Sequence, residues 1–302
     1  MKHKPFKTYD EQIELLRNKG LTINNPDIAR KYLSELNYYR LSGYSLVLRK
    51  DDRFYPSTCF EDIIEIYHFD KELKNILLGY LEDIEISLRS HIAYELGRLD
   101  LNEDETVSYL CKENFASEEH FERFMHDLSV ALRDNQHEAF VKHHETVYSG
   151  VLPVWAMVET LSFGSASRLI HSLSIPLQKQ ICATWYPGLR YTTITNWLEG
   201  LVVLRNICAH HARLFNRGFV LSPSFSPEAK EKFEKYGYER NQVGKKLFFR
   251  LVVIARMSPL PNITEKLISD ISDLSDRYPG VQLKHYGFLK KWKEILREAT
   301  AI

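Results

Sequence analysis

The chain reads as an all-α protein, and three observations carry that expectation. Apolar residues recur at spacings of three and four almost throughout, alternating strand-like runs are few, and turn residues sit between the periodic stretches. Near the N-terminus, "YDEQIELLRNKG" and "PDIARKYLSEL" read as two short helices joined by "LTINN", with Pro26 opening the second. A DNA-reading helix-turn-helix is disfavoured there, because the second helix offers only Arg30 and Lys31 to a groove. After "NYYRLSGYSLVLRK" and the turn "DDRFYPST" comes the longest helical stretch, from Phe60 to about Leu96. Its residues Leu77, Leu81, Ile84, Leu88 and Ile92 form one buried face. Helices are then expected at roughly 117–135, 137–148, 153–172, 176–186 and 191–214, and in the tail at about 227–236, 240–257, 262–275 and 288–299. This divides the chain into an N-terminal helical extension (1–54), a helical core (55–220) and a C-terminal helical cap (221–302).

The 302 residues are 44% hydrophobic and 26% charged, enough to bury a sizeable core. Forty basic residues balance forty acidic ones, which excludes a broadly cationic binder of nucleic acid, so any phosphate-binding surface must be local. One such region is visible. From Gly200 to Pro227 there is no Asp or Glu, while Arg205, Arg213 and Arg217 are present. A second acid-free window holds Arg240, Lys245, Lys246, Arg250 and Arg256. Acids gather earlier, at Glu61, Asp62, Glu65, Asp70, Glu72, Glu82, Asp83 and Glu85, and again from Asp100 to Glu105. A positive face therefore belongs to the second half.

Cys59, Cys111, Cys182 and Cys208 form no C-x-x-C pair, which argues against a zinc ribbon or a disulfide framework and for reduced thiols. Neither a metal nor a cofactor is expected. The start lacks the apolar region of a signal peptide, and no apolar run approaches the roughly 20 residues of a membrane span. A cytoplasmic protein without a membrane partner is the expectation.

The segment "RNICAHHARLFNR" (205–217) is the most informative. On a helical wheel at about 100° per residue, Leu201, Ile194, Trp197, Leu198, Cys208, Ala212 and Phe215 share one stripe, and Arg205 falls inside it. A charge on an apolar stripe needs compensation, from Glu82 or Glu85 of the long helix or from a phosphate met bidentately. Asn206, His210 and Arg213 fall on the opposite side as a polar ridge. An imidazole beside guanidinium groups suits proton transfer and stabilisation of a five-coordinate phosphate. RNA fits better than DNA, since its 2′-hydroxyl supplies the nucleophile without a metal. The products are then a 2′,3′-cyclic phosphate and a 5′-hydroxyl. Two imidazoles, one from each copy about a twofold axis, would serve as acid and base.

"RNICAH" resembles the motif of the HEPN superfamily of α-helical ribonucleases, an Arg followed after four to six residues by a His. "YYRLSGY" (38–44), "YLEDIEISLRSHIAYELG" (80–97), "LPVWAMVETLSFGSASRLI" (152–170) and "LRNICAHHARLFNR" (204–217) occur in the order found in Abi-like proteins of the AbiD/AbiF kind. The resemblance spans about residues 10–220. It implies a HEPN helical bundle, a role in phage defence or as a toxin, and metal-independent RNA cleavage by a homodimer. The motif residues are then Arg205, Asn206 and His210, with His211, Arg213 and Arg217 as RNA-binding residues. A noncatalytic module that holds a structured small RNA is the alternative. Glu85 and Arg89 read as structural, and Trp155, Glu159 and Phe163 as one packed helix side. His143 and His144 read as surface or capping residues.

Overall fold

In the computed structural model, residues 5–101 and 107–300 are described. Most of the second acidic cluster, residues 102–105, lies outside them. The described residues form fourteen α-helices, several 3-10 turns and a single two-stranded hairpin, so the fold is all-α. At the N-terminus, α1 (Tyr9–Asn18) and α2 (Pro26–Leu36) are short helices with well-made starts. Thr8 and Glu11 form a capping box, and Asn25 accepts from the N–H groups of Asp27 and Ile28. Pro26 opens α2 as expected. Arg30 is tied to Asp10 at 2.5 Å and Asp27 at 2.7 Å. Next come α3 (Tyr38–Tyr44) and the hairpin β1 (Arg49–Lys50) with β2 (Arg53–Phe54).

The long helix α4 (Phe60–Gly97) is the axis of the molecule. Ile63, Ile66, Leu73, Leu77, Leu81, Ile84, Leu88, Ile92 and Leu96 are all buried along it. Around it pack α3, α7 (Val154–Thr160), α8 (Phe163–Ser172), α9 (Ile175–Trp185), α10 (Tyr191–Ala209), α12 (Phe248–Met257) and α13 (Ile263–Arg277). Three further helices complete the fold: α5 (Glu118–Asp134), α6 (Ala139–Val147) and α11 (Pro227–Lys235). The final helix, α14 (Trp292–Thr300), closes over α12 and α13. The C-terminal helices add an aromatic core in which Phe225, Phe233, Tyr238, Phe248 and Phe249 meet mostly edge to face, with Tyr238 stacked on Phe248.

Four expectations are corrected. The stretch 153–172 is two helices, because Leu161 is extended and Ser162 caps α8 by accepting from the Ser165 N–H at 3.2 Å. Phe163 is therefore buried in α8, whereas Trp155 on α7 is 65% exposed, so the two do not share a packed side. The helix expected from residue 240 begins only at Phe248, after a 3-10 turn and Gly244 at φ +89°. The second acid-free window is not one positive face. Arg250 is fully buried over the Phe219 ring and donates to the carbonyls of Gly244 and Leu221, while Arg240 pairs with Glu234. The fourth correction, the end of α10, defines the site.

No helix among the described residues is long and apolar enough to cross a membrane. Cys182 and Cys208 are free thiols and are buried. Burial pushes the Cys208 thiol up to about 12, which keeps it protonated and unreactive.

Candidate nucleic-acid site at the end of α10

Arg205, Asn206 and His210 all belong to the last turn and cap of α10, but the helix stops at Ala209 rather than continuing to residue 214. His211 adopts φ +56°, the left-handed conformation that usually falls to glycine. Its N–H bonds to the carbonyl of Cys208 at 3.1 Å, and the Ala212 N–H reaches back to Ile207 at 2.9 Å. That reciprocal pair is a Schellman cap with a histidine in the glycine position.

Tertiary partners explain why the chain turns here without Gly or Pro. In a continued helix the N–H groups of Leu214 and Phe215 would bond to the carbonyls of His210 and His211. Both instead donate to the buried carboxylate of Asp70 on α4, at 3.2 and 2.7 Å. Arg40 of α3 donates to the His211 carbonyl at 2.8 Å, and Lys74 to that of Ala212 at 3.3 Å. Asp70 also accepts from the hydroxyls of Tyr44 and Tyr286 and pairs with Lys74 at 3.4 Å. One fully buried acid thus joins α3, α4, the loop after α10 and the C-terminal segment. Burial, and then the Asp70 charge, raise both tyrosine hydroxyls far above their ordinary range, so both remain donors.

The ridge of Asn206, His210 and Arg213 expected on one helix face is consequently broken. Asn206 and His210 are exposed, one turn apart, and neither side chain has a protein partner among the described residues. Arg213 leaves that face and lies across α3. A Cβ on Gly43 would stand 3.1 Å from its Nε, and its Nη1 donates to the Phe215 carbonyl at 2.7 Å. Arg217 donates to the Arg213 carbonyl at 3.2 Å, and His211 is exposed beside α3. Positive charge accumulates around this loop. Burial and then the Arg213 charge hold Lys246 below its usual range, and burial and then Lys284 and Lys246 do the same to His285.

Arg205 faces the other way, into a cleft between α10 and α4. Its guanidinium lies 3.6 Å from Glu85, one of the two acids the sequence offered, and its side chain is 37% exposed rather than sunk in the core stripe. Glu85 is shared. Arg89 holds it at 2.6 Å and reaches Glu159 of α7 at 3.5 Å. Glu159 thus meets an arginine across the cleft rather than packing beside Phe163. His143 meets Tyr148 edge-on and His144 meets it tilted, at the end of α6. No group of three or more His, Cys, Asp or Glu side chains among the described residues is arranged to hold a metal ion.

Asp70 and Arg40 were not singled out in the sequence, although a signal for the acid existed. Asp70 falls between Ile66 and Leu73 on the buried stripe of α4, as Arg205 falls on that of α10. No curated protein and no solved structure matches the chain. The family model of the Abi-like proteins matches residues 31–216, which run from α2 through α3 and α4 to the loop held by Asp70, well over half of the chain; the protein belongs to the Abi-like family.

Proposed function

We propose that this protein is a metal-independent endoribonuclease of abortive-infection defence, of the HEPN kind and the AbiD/AbiF group, working as a cytoplasmic homodimer. Membership of the Abi-like family supports the defence role. The observation that carries the chemistry is His210. It is exposed, lacks a protein partner among the described residues, follows an equally unpartnered Asn206 by one turn, and ends the helix that bears Arg205.

In this reading the imidazole of one copy takes the proton from a ribose 2′-hydroxyl. The 2′-oxygen bonds to phosphorus, and the bond from phosphorus to the 5′-oxygen breaks. The departing oxygen receives its proton from the imidazole of the second copy. Arg205 stabilises the charge on the five-coordinate phosphate, Asn206 orients the same group, and His211, Arg213 and Arg217 hold flanking phosphates. Glu85 sets the direction of Arg205 while leaving part of its guanidinium exposed.

Cleavage of single-stranded RNA in excess EDTA tests this. Wild type should leave 2′,3′-cyclic phosphate and 5′-hydroxyl ends. His210→Ala should abolish cleavage while shifting stability by no more than about 0.5 kcal/mol, as expected for an exposed residue. Cleavage retained in the variant removes His210 from the mechanism. RNA that copurifies uncut with wild type supports the noncatalytic module instead.

A further inference from the structure

Beside the catalytic helix end lies a groove of about 640 Å³, within the roughly 300–1,000 Å³ typical of small-ligand sites. Its floor is α3, the "YYRLSGY" segment whose purpose the sequence left open, and its far wall is the loop His211–Arg213. Three features coincide in it. No carboxylate lines it. It holds two arginines, Arg40 and Arg213, whose side chains donate to main-chain carbonyls and form no ion pair among the described residues. Tyr39 presents its ring at the rim, 86% exposed and so open to a stacking partner.

The geometry points to a subsite for one unpaired nucleotide of RNA, with its base stacked on Tyr39 and its phosphate held by Arg40 and Arg213. This rests on the reading of RNA as the substrate and adds where a nucleotide flanking the cut is held. An aromatic face beside an acid-free cationic groove is how proteins grip single strands: stacking is tolerant of base identity, and guanidinium groups meet phosphate oxygens bidentately. An acidic peptide would use the arginines but leave the bare ring unexplained. Gly43 has a specific part. Its missing side chain is what lets the Arg213 guanidinium lie against α3, since a Cβ there would stand 3.1 Å from Nε and 3.4 Å from Cδ. Arg40 links the subsite to the catalytic end, because the same side chain that borders the groove grips the His211 carbonyl, one residue after His210.

The test is fluorescence-anisotropy binding of an unstructured, mixed-sequence 2′-O-methyl RNA, which lacks the nucleophile and survives intact, to the full-length protein. Tyr39→Ala should weaken binding at least about fivefold, the lower end of what loss of one stacked base costs, and Tyr39→Phe should restore it. Gly43→Ala separates binding from folding. A Cβ 3.1 Å from Nε forces the Arg213 guanidinium to shift by a few tenths of an ångström, which should weaken binding while an unchanged circular dichroism spectrum shows that the fold is kept. Wild-type affinity in both Tyr39→Ala and Gly43→Ala overturns the subsite while leaving the ribonuclease reading intact. Failure of wild type both to bind the probe and to cut the unmodified strand overturns both.

Discussion

Two carboxylates of the same helix, Asp70 and Glu85, reach opposite sides of the α10 end and treat it differently. Asp70 has no exposure and accepts main-chain N–H groups, so it fixes the path of the chain after His211. Glu85 meets guanidinium groups, so it fixes the direction of Arg205 and spends part of that residue's charge. Arginines held by carbonyls, as Arg40 and Arg213 are, keep their whole charge for a ligand. The site therefore has a balanced side at the α4 cleft and an unbalanced side at the α3 groove, where the proposed flanking nucleotide would sit.

The contrast breaks most severely at Asp70. Asp70→Asn keeps the shape but puts an NH2 among N–H and ammonium donors in a dry environment. The expected loss is about 3–5 kcal/mol of unfolding free energy in urea titration. A loss below about 1 kcal/mol would mean that the loop after α10 does not depend on the acid.

A third polar group on α4, His91, gives a measure of burial without a charge partner. Its ring stacks on Trp185 at 4.1 Å, and burial pushes its pKa down to about 4 from an ordinary 6.5. The folded state thus favours the neutral ring. The stability this contributes is complete above pH 6.5 and is lost as pH falls through the window from 6.5 to about 4. Its size is at most about 3 kcal/mol, less where water reaches the ring. Chemical denaturation across that window should show the fall in wild type. His91→Phe, which stacks but cannot titrate, should start lower at pH 7 and lack this component of the slope.

Glu85→Gln should cost less, about 1–2 kcal/mol, because Arg89 and Arg205 both retain access to water. Its larger effect should be on cleavage rate, through an Arg205 no longer held in one direction. An unchanged rate would make the Glu85 pairing purely structural.

Much of this was legible from spacing. The helical period identified the buried face of α4, and the misplaced charge of Arg205 on its own stripe pointed to Glu82 or Glu85, between which spacing could not choose. What spacing could not supply was the end of α10. A wheel assumes that the helix continues, and nothing in "HHARLF" is a glycine or proline to stop it. The stop is imposed by Asp70, Arg40 and Lys74, which lie between 138 and 171 residues away in sequence. Arg213 was consequently placed on the wrong face, and the groove of α3 had no second wall. Arg250 was misjudged for a related reason. A cation in an acid-free window reads as surface, yet carbonyls and the Phe219 ring satisfy most of it inside the core.

The smallest effect concerns His211, a β-carbon-bearing residue kept in a left-handed conformation where glycine would be unstrained. His211→Gly should relieve that strain and change stability by less than about 1 kcal/mol, with the gain offset by the looser unfolded chain. His211→Asn should keep the cap while removing the imidazole, since asparagine tolerates this backbone region. Both variants are expected to fold as well as wild type and to bind RNA more weakly, because strain retained at an exposed position next to His210 is tolerated where the side chain serves a ligand. If both bind RNA and cut it as wild type does, the histidine is a cap and nothing more. The unbalanced side of the site would then rest on Arg40 and Arg213.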